Sequence, residues 1–232
     1  MSRKFERPVT AQAAVLTELR QRITRGEILP GVAIRQEVLA SELGVSRLPV
    51  REALVVLQSE RLVDYTQHKG YMVAPLDEDD LVQTYQLRDI LEPVAIEQAV
   101  PRLTEETIDA MRETLADLMA AGAGAKLERI EWNREFHFHL FKASGNMRLV
   151  SLLSQLWDSC DRYRALYYSS TEVPDRVHRG GEEIINAAAA RDTTRLRELL
   201  AERRGAGFAE SLRVVHTYNK AADAMAAESA PA

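Results

Sequence analysis

One cysteine, Cys160, stands in a chain of 232 residues, which excludes an internal disulfide and a thiolate metal cluster and leaves a small core residue as its reading. No run approaches the roughly 18 consecutive apolar residues that a membrane span requires. The opening MSRKFERPVT carries no apolar signal region, so a cytoplasmic protein with no membrane partner is expected. Nothing is arranged as a Ser-His-Asp or metalloprotease motif, so catalysis is not expected; a metal-dependent enzyme with an incidental basic N-terminus is the competing class set aside on that ground. Beyond residue 75 no stretch alternates with the period of a strand. The length suits two units, each able to bury a core of its own.

Charge is unevenly spread along the chain. Residues 1–75 carry 11 Lys/Arg against 8 Asp/Glu, net +3, whereas residues 76–232 carry 19 against 27, net -8, and the two add to the overall -5. A basic front end on an acidic remainder fits a module that meets phosphate joined to one that does not.

The first 75 residues read as helix, helix, turn, helix and hairpin. Val15, Leu16, Leu19 and Ile23 form the stripe of an amphipathic helix over 11–25, which Gly26 stops. After the turn at Leu29 to Gly31, a short helix from Glu37 to Leu43 is expected to bury Val38, Leu39 and Leu43. Gly44 makes a corner, and Ser46 stands as N-cap of a third helix, with Pro49 in its first turn where a missing N–H costs nothing. Val50, Leu54 and Leu57 face the core of that helix, while Arg47 and Arg51, four apart, emerge together on another side. Leu62–Thr66 and Tyr71–Ala74 are β-prone runs joined by QHKG, a hairpin in which Gly70 can take positive φ. This is the order of a winged helix-turn-helix. Arginines at the start of its second motif helix reach base edges or phosphates in the DNA major groove, and the wing offers His68 and Lys69 to the backbone.

The segment LRQRITRGEILPG…LASELGVSRLPVREALVVLQSERLVDYTQHKGYMVAP resembles the N-terminal domain of GntR-type bacterial transcription regulators over about 57 residues. The resemblance implies Arg47 and Arg51 as DNA contacts, with Arg35, Ser46, His68 and Gly70 as lesser ones. In some relatives an arginine stands at the position of Glu37 and touches DNA; Glu37 cannot do so, which implies a different operator preference.

PLDEDD, Pro75 to Asp80, is the seam, its acids suited to the N-terminus of a helix starting near Asp79. Helices follow over roughly 79–99, 104–121, 126–144, 147–169, 176–190 and 193–219, with Pro93 kinking the first, and the tail 221–232 is expected to be disordered. The expectation is therefore a mainly α protein: a winged helix-turn-helix domain (1–75), a linker (76–80) and an all-α effector-binding and dimerisation bundle (81–220).

YQLRDILEPVAIEQA and NREFHFHLFKASGNMRL resemble the FCD-type effector domain of the FadR branch of the GntR superfamily, across most of residues 78–205. Many members of that branch hold a divalent metal through an aspartate, a histidine four residues on, and two later histidines. Here those positions carry Asn133, His137, Gly181 and Arg203, the last two placed by anchoring on IINAAAARD. An amide, a missing side chain and a guanidinium are poor metal ligands. The resemblance thus implies a cavity without its usual ion and no cofactor, the one escape being a divalent site at His137 and His178, which makes the alternative a metal-dependent or metal-sensing regulator. Arg88 and Arg203, with Asn133 and His137, then become candidates to bind a small organic-acid effector through forked donors. The equal alternative pairs Arg88 with Glu92, four residues on, and Arg203 with a surface acid. Tyr85, Tyr163 and Tyr167 line the same space or are core, and HFH is no chelating pair because His137 and His139 project to nearly opposite sides. The resemblance implies a homodimeric repressor that binds double-stranded, palindromic operator DNA and is relieved by its effector.

Overall fold

A computed structural model of the chain describes residues 10–24, 26–120, 125–167 and 176–228. The chain divides into two compact units, Met1–Pro75 and Leu76–Ala232.

In the first unit, helices α1 (Ala11–Thr24), α2 (Gln36–Glu42) and α3 (Arg47–Ser59) pack with strands β1 (Ala33–Ile34), β2 (Val63–Thr66) and β3 (Gly70–Val73). The antiparallel sheet has the order β1-β3-β2, with Ile34 opposite Tyr71 and Val63 opposite Val73. β1 was not expected; two residues are too few to carry a period. Val15, Leu19 and Ile23 of α1 meet Val50, Leu54 and Leu57 of α3 in one apolar core. Contrary to expectation Val38 is exposed and Leu43 only half-buried, because α2 turns Leu39 and Ala40 inward instead.

The corner between α2 and α3 is a Schellman turn. Gly44 has φ +65, its N–H reaches the Ser41 carbonyl at 3.3 Å, and the Val45 N–H reaches the Ala40 carbonyl at 3.0 Å. Only a residue free of a Cβ penalty takes that conformation cheaply, so Gly44 sets the angle at which α3 leaves. Three ion pairs brace the unit: Arg20 grips both oxygens of Glu60 at 2.7 and 2.8 Å, and Arg22 reaches Glu18 and Glu42 at 2.7 and 2.9 Å.

The regular elements among the described residues of the second unit are all helical, a 3-10 turn at Val100–Arg102 and the α-helices α4 (Glu78–Ala99), α5 (Glu105–Ala120), α6 (Lys126–Ala143), α7 (Met147–Tyr167), α8 (Arg176–Ala189) and α9 (Thr193–Glu228). Asp77 caps α4, its carboxylate accepting the Asp79 and Asp80 N–H groups at 2.8 and 3.4 Å. α4 runs unbroken through Pro93. It packs against α6, α7 and α9, while α5 lies on α6 and α8. The main core gathers Ile96, Met111, Phe136, Phe141, Trp157 and Leu196; a smaller one joins Leu76, Leu81, Tyr85, Tyr163 and Val215. Helix α9 outruns its expected end at residue 219: residues 221–228 continue it rather than fraying. Alanines dominate that stretch, and they favour helix even where little is buried.

Candidate functional site

Two groups of polar residues stand out, one in each unit. In the first, Arg47 opens α3, Ser46 precedes it as N-cap, and Arg51 follows one turn later, all three exposed. Ser46 occupies the cap position with extended backbone but its hydroxyl makes no capping bond, which corrects the expected role. Arg35, exposed, holds the N-cap position of α2. Arg47 is not alone: its Nη1 lies 2.8 Å from Glu37 Oε1, an ion pair with both side chains about 70% exposed (69% and 70%). Arg35, Arg51 and Lys69 engage no acidic side chain among the described residues.

The wing turns at Thr66–Lys69, where the Lys69 N–H meets the Thr66 carbonyl at 3.1 Å. His68 and Gly70 both have positive φ, +68 and +83, so the turn projects His68 and Lys69 outward, exposed. Sequence reasoning passed over Leu48, which sits between the cap and Arg51 and is 63% exposed. A large apolar side chain left in water at the start of a basic helix suits the thymine methyl group, the one apolar feature of the major groove. Its mark in the sequence was an apolar residue off the core stripe of α3.

In the second unit Glu92 is a hub. Its side chain is 3% exposed and accepts from Arg88 Nε at 2.7 Å, Trp157 Nε1 at 3.0 Å and Arg204 Nη1 at 2.7 Å; Arg204 Nε also donates to Asp89. Burial pushes the Glu92 carboxyl pKa up, but the charges of Arg88 and Arg204 outweigh it and hold the group below the usual carboxylate range. Burial likewise opposes the charge on Arg88, and Glu92 more than restores it. The Arg88 guanidinium is further enclosed by the rings of Tyr85 and Trp157, 4.7 and 4.4 Å from their centroids. Of the two readings open for Arg88, the structure takes the pairing with Glu92. Arg88 is therefore withdrawn from the effector-binding set, because its charge is already matched inside the bundle.

Arg203 differs from Arg88. It is half-buried, and its Nη2 donates to Asn133 Oδ1 at 3.2 Å. Its Nη1 lies 3.7 Å from where a Cβ on Gly180 would stand. One turn along α6 from Asn133, His137 is buried against Phe136, Phe141 and Trp157. The structure thus brings Asn133, Arg203 and the Gly180–Gly181 step of α8 together. The His178 side chain and that of Tyr167 lie outside the described residues. Tyr163 is core, its hydroxyl donating to the Asp77 carbonyl at 3.1 Å, and Tyr85 packs at a tilt against Phe208 with centroids 5.0 Å apart. His139 points away from His137 and meets Thr114 Oγ1 at 3.0 Å; burial holds its pKa below the ordinary histidine value.

These residues do not fit a metal held at the four positions of the FCD resemblance. A Cβ on Gly181 would stand 2.5 Å from Leu115 Cδ1, so buried Leu115 fills the space that a third ligand would need. The Asn133 oxygen is engaged by Arg203, whose positive charge opposes a divalent ion. Among the described residues no three of His, Cys, Asp and Glu gather where they could hold one.

On the outer face of α4, Leu87, Ile90 and Val94 are 49, 63 and 38% exposed at i, i+3 and i+7, a continuous apolar stripe. Among the described residues no helix is long and apolar enough to cross a membrane.

Comparison with known proteins bears on both units. Residues 11–73 match the description "Bacterial regulatory proteins, gntR family", and residues 83–204 match "FCD domain". The chain is 30% identical over 194 residues to the HTH-type transcriptional repressor GlaR of Escherichia coli (strain K12), covering 79% of this chain and 88% of that one. It is 31% identical over 149 residues to the Nta operon transcriptional regulator of Aminobacter aminovorans, covering 64% and 71%. Among solved structures, E. coli McbR/YncC superposes with a TM-score of 0.76 at 24% identity, over 91% of this chain and all (100%) of that one, a likeness of fold.

Proposed function

From the membership of this chain in the GntR family of bacterial transcription regulators, with the FCD domain, a DNA-binding regulator and not an enzyme, we propose that it is an operator-bound repressor relieved by a small anionic metabolite held at Arg203 and Asn133. The repressor mode follows GlaR, which is named a repressor. The observation that carries the effector class is the half-buried Arg203 on Asn133, a guanidinium at the position where the FCD resemblance implies a metal ligand. Its Nη2 donates to the neutral Asn133 amide, and a carboxylate or phosphate is a ligand that the forked donors of a guanidinium match. His137, one turn from Asn133, supplies a polar edge on the same side of α6.

On the DNA side, Arg47 and Arg51 read the major groove, with Arg35, Ser46, His68, Lys69 and the Gly70 turn on the backbone. One reading helix covers only a few base pairs, so two copies on a two-fold operator are required, and the apolar stripe Leu87–Ile90–Val94 is the surface through which the helical units pair. Such a protein works beside the chromosome, in the cytoplasm. An effector relieves repression only by binding two placements of the DNA-binding units unequally, and residues 75–80 are the segment through which that difference passes.

The test has two arms. Arg47→Ala or Arg51→Ala should weaken operator binding by about 1–3 kcal/mol in anisotropy titrations, with circular dichroism unchanged. In thermal-shift assays with short mono- and dicarboxylic acids and sugar phosphates, a compound that stabilises the wild type and dissociates its operator complex should lose at least about tenfold in potency on Arg203→Ala. One tightly bound transition metal per chain, lost on His137→Ala, would overturn the effector reading.

A further inference from the structure

Glu37 is an acid on the face that meets a polyanion. Beside phosphates a lone carboxylate costs affinity, and here it is matched by Arg47 through Nη1 at 2.8 Å. Both partners are about 70% exposed (69% and 70%), so the pair adds little to folding stability; its consequence lies in what it does to Arg47. We infer that Glu37 is a positioning residue for operator recognition: by occupying Nη1 and cancelling the charge of Arg47, it presents the Nε and Nη2 edge of that guanidinium to guanine and denies it to phosphate. This rests on the operator-binding reading of Arg47 above.

Guanidinium geometry gives the reason. Nε–H and one Nη2–H point side by side along one edge, and two parallel donors match the O6 and N7 acceptors of guanine. Nη1 lies on the other side, where Glu37 sits. A bare arginine at the same place carries a full charge and three faces of donors, and any phosphate oxygen within reach competes with the base. With Glu37 the pair is nearly neutral, so long-range attraction to the backbone is removed while the directional fork remains. Arg35 and Lys69, which have no acidic partner among the described residues, keep their charge for phosphate. Cations of this face thus divide into base readers and anchors.

The experiment uses the full-length protein and an operator obtained by selection from random duplex DNA. Affinity is measured by anisotropy for every single base-pair change in one half-site and for a non-operator duplex across a salt series, with wild type, Glu37→Gln, Arg47→Ala and the double variant. Arg47→Ala should lose discrimination at one guanine. Glu37→Gln should lower discrimination at that same base pair by about fivefold or more, bind the non-operator duplex more tightly, and steepen the salt dependence by about one unit per half-site as Arg47 turns to phosphate. In the Arg47→Ala background Glu37→Gln should change nothing at that base pair. Undiminished discrimination in Glu37→Gln overturns the inference, and so does a loss confined to a different base pair, which would make Glu37 itself the reader. Unchanged discrimination in Arg47→Ala is a separate failure, of the operator-contact reading itself, and takes the role of Glu37 with it.

Discussion

Replacing Glu92 by glutamine is the sharpest perturbation that this bundle offers. The substitution keeps volume and one acceptor oxygen but removes the charge shared by Arg88 and Arg204, and its new NH2 faces a guanidinium donor. Arg204 retains Asp89. Arg88, 3% exposed, is left with no more than a neutral amide oxygen, the Cys160 sulfur at 3.6 Å and the two rings, and cation–π contacts of about 2 kcal/mol cannot replace a buried carboxylate. Breaking a buried pair from one side costs about 3–5 kcal/mol, and the partial compensation points to the lower end, about 3 kcal/mol. In urea, with a slope of about 2–3 kcal/mol/M for a unit of this size, the midpoint should fall by roughly 1 M or more. Tryptophan emission is a clean probe, because Trp132 and Trp157, the only 2 tryptophans, both lie in the helical unit. The effect has a pH signature. Since the folded pKa of Glu92 is depressed, its contribution is complete above the unfolded value near 4.3 and is lost as pH falls through the lower folded value. The gap between wild type and variant should therefore shrink in acid. A loss below about 1 kcal/mol at neutral pH, or a gap indifferent to acid, would show that the cluster is not held by this charge.

The crowding of Gly181 by Leu115 makes a second test. Asn133→Asp, Gly181→His and Arg203→His together should still give no tight zinc site by competition titration, whereas adding Leu115→Ala should raise affinity by about tenfold or more; equal affinity with and without it would mean that α8 shifts freely. Ile90→Asp should weaken self-association by about 2 kcal/mol or more in sedimentation while leaving helix content intact, and an unchanged dimer mass would remove the α4 stripe from the interface.

The reading unit was legible because its determinants are local. The spacing of Val50, Leu54 and Leu57, the glycine at 44 and the hairpin around Gly70 each act within a few residues, and sequence neighbours carry them. The helical unit was legible as helices for the same reason, yet its polar interior was not. Arg204, 112 positions from Glu92, was passed over for its neighbour Arg203, since nothing in a doublet says which member turns inward. The pairing of Arg88 with Glu92 was visible as an i, i+4 spacing, but the burial that makes it decisive depends on Trp157 and on α9. Leu115 reads as an ordinary core residue of α5, and only packing of α5 on α8 reveals what it excludes. Glu37 and Arg47 lie on separate helices, joined by the angle that Gly44 sets.

Helix α9 carries a consequence of its length. Arg203, against Asn133, and Asn219, whose amide donates to the Leu76 carbonyl at 3.2 Å, stand on the same uninterrupted rod. About 1.5 Å of rise per residue separates them by roughly 24 Å. A helix behaves over that span as a stiff axle: a roll imposed at one bearing arrives at the other with its sense and angle preserved. One bearing is the amide that grips an arginine; the other is the first peptide of the second unit.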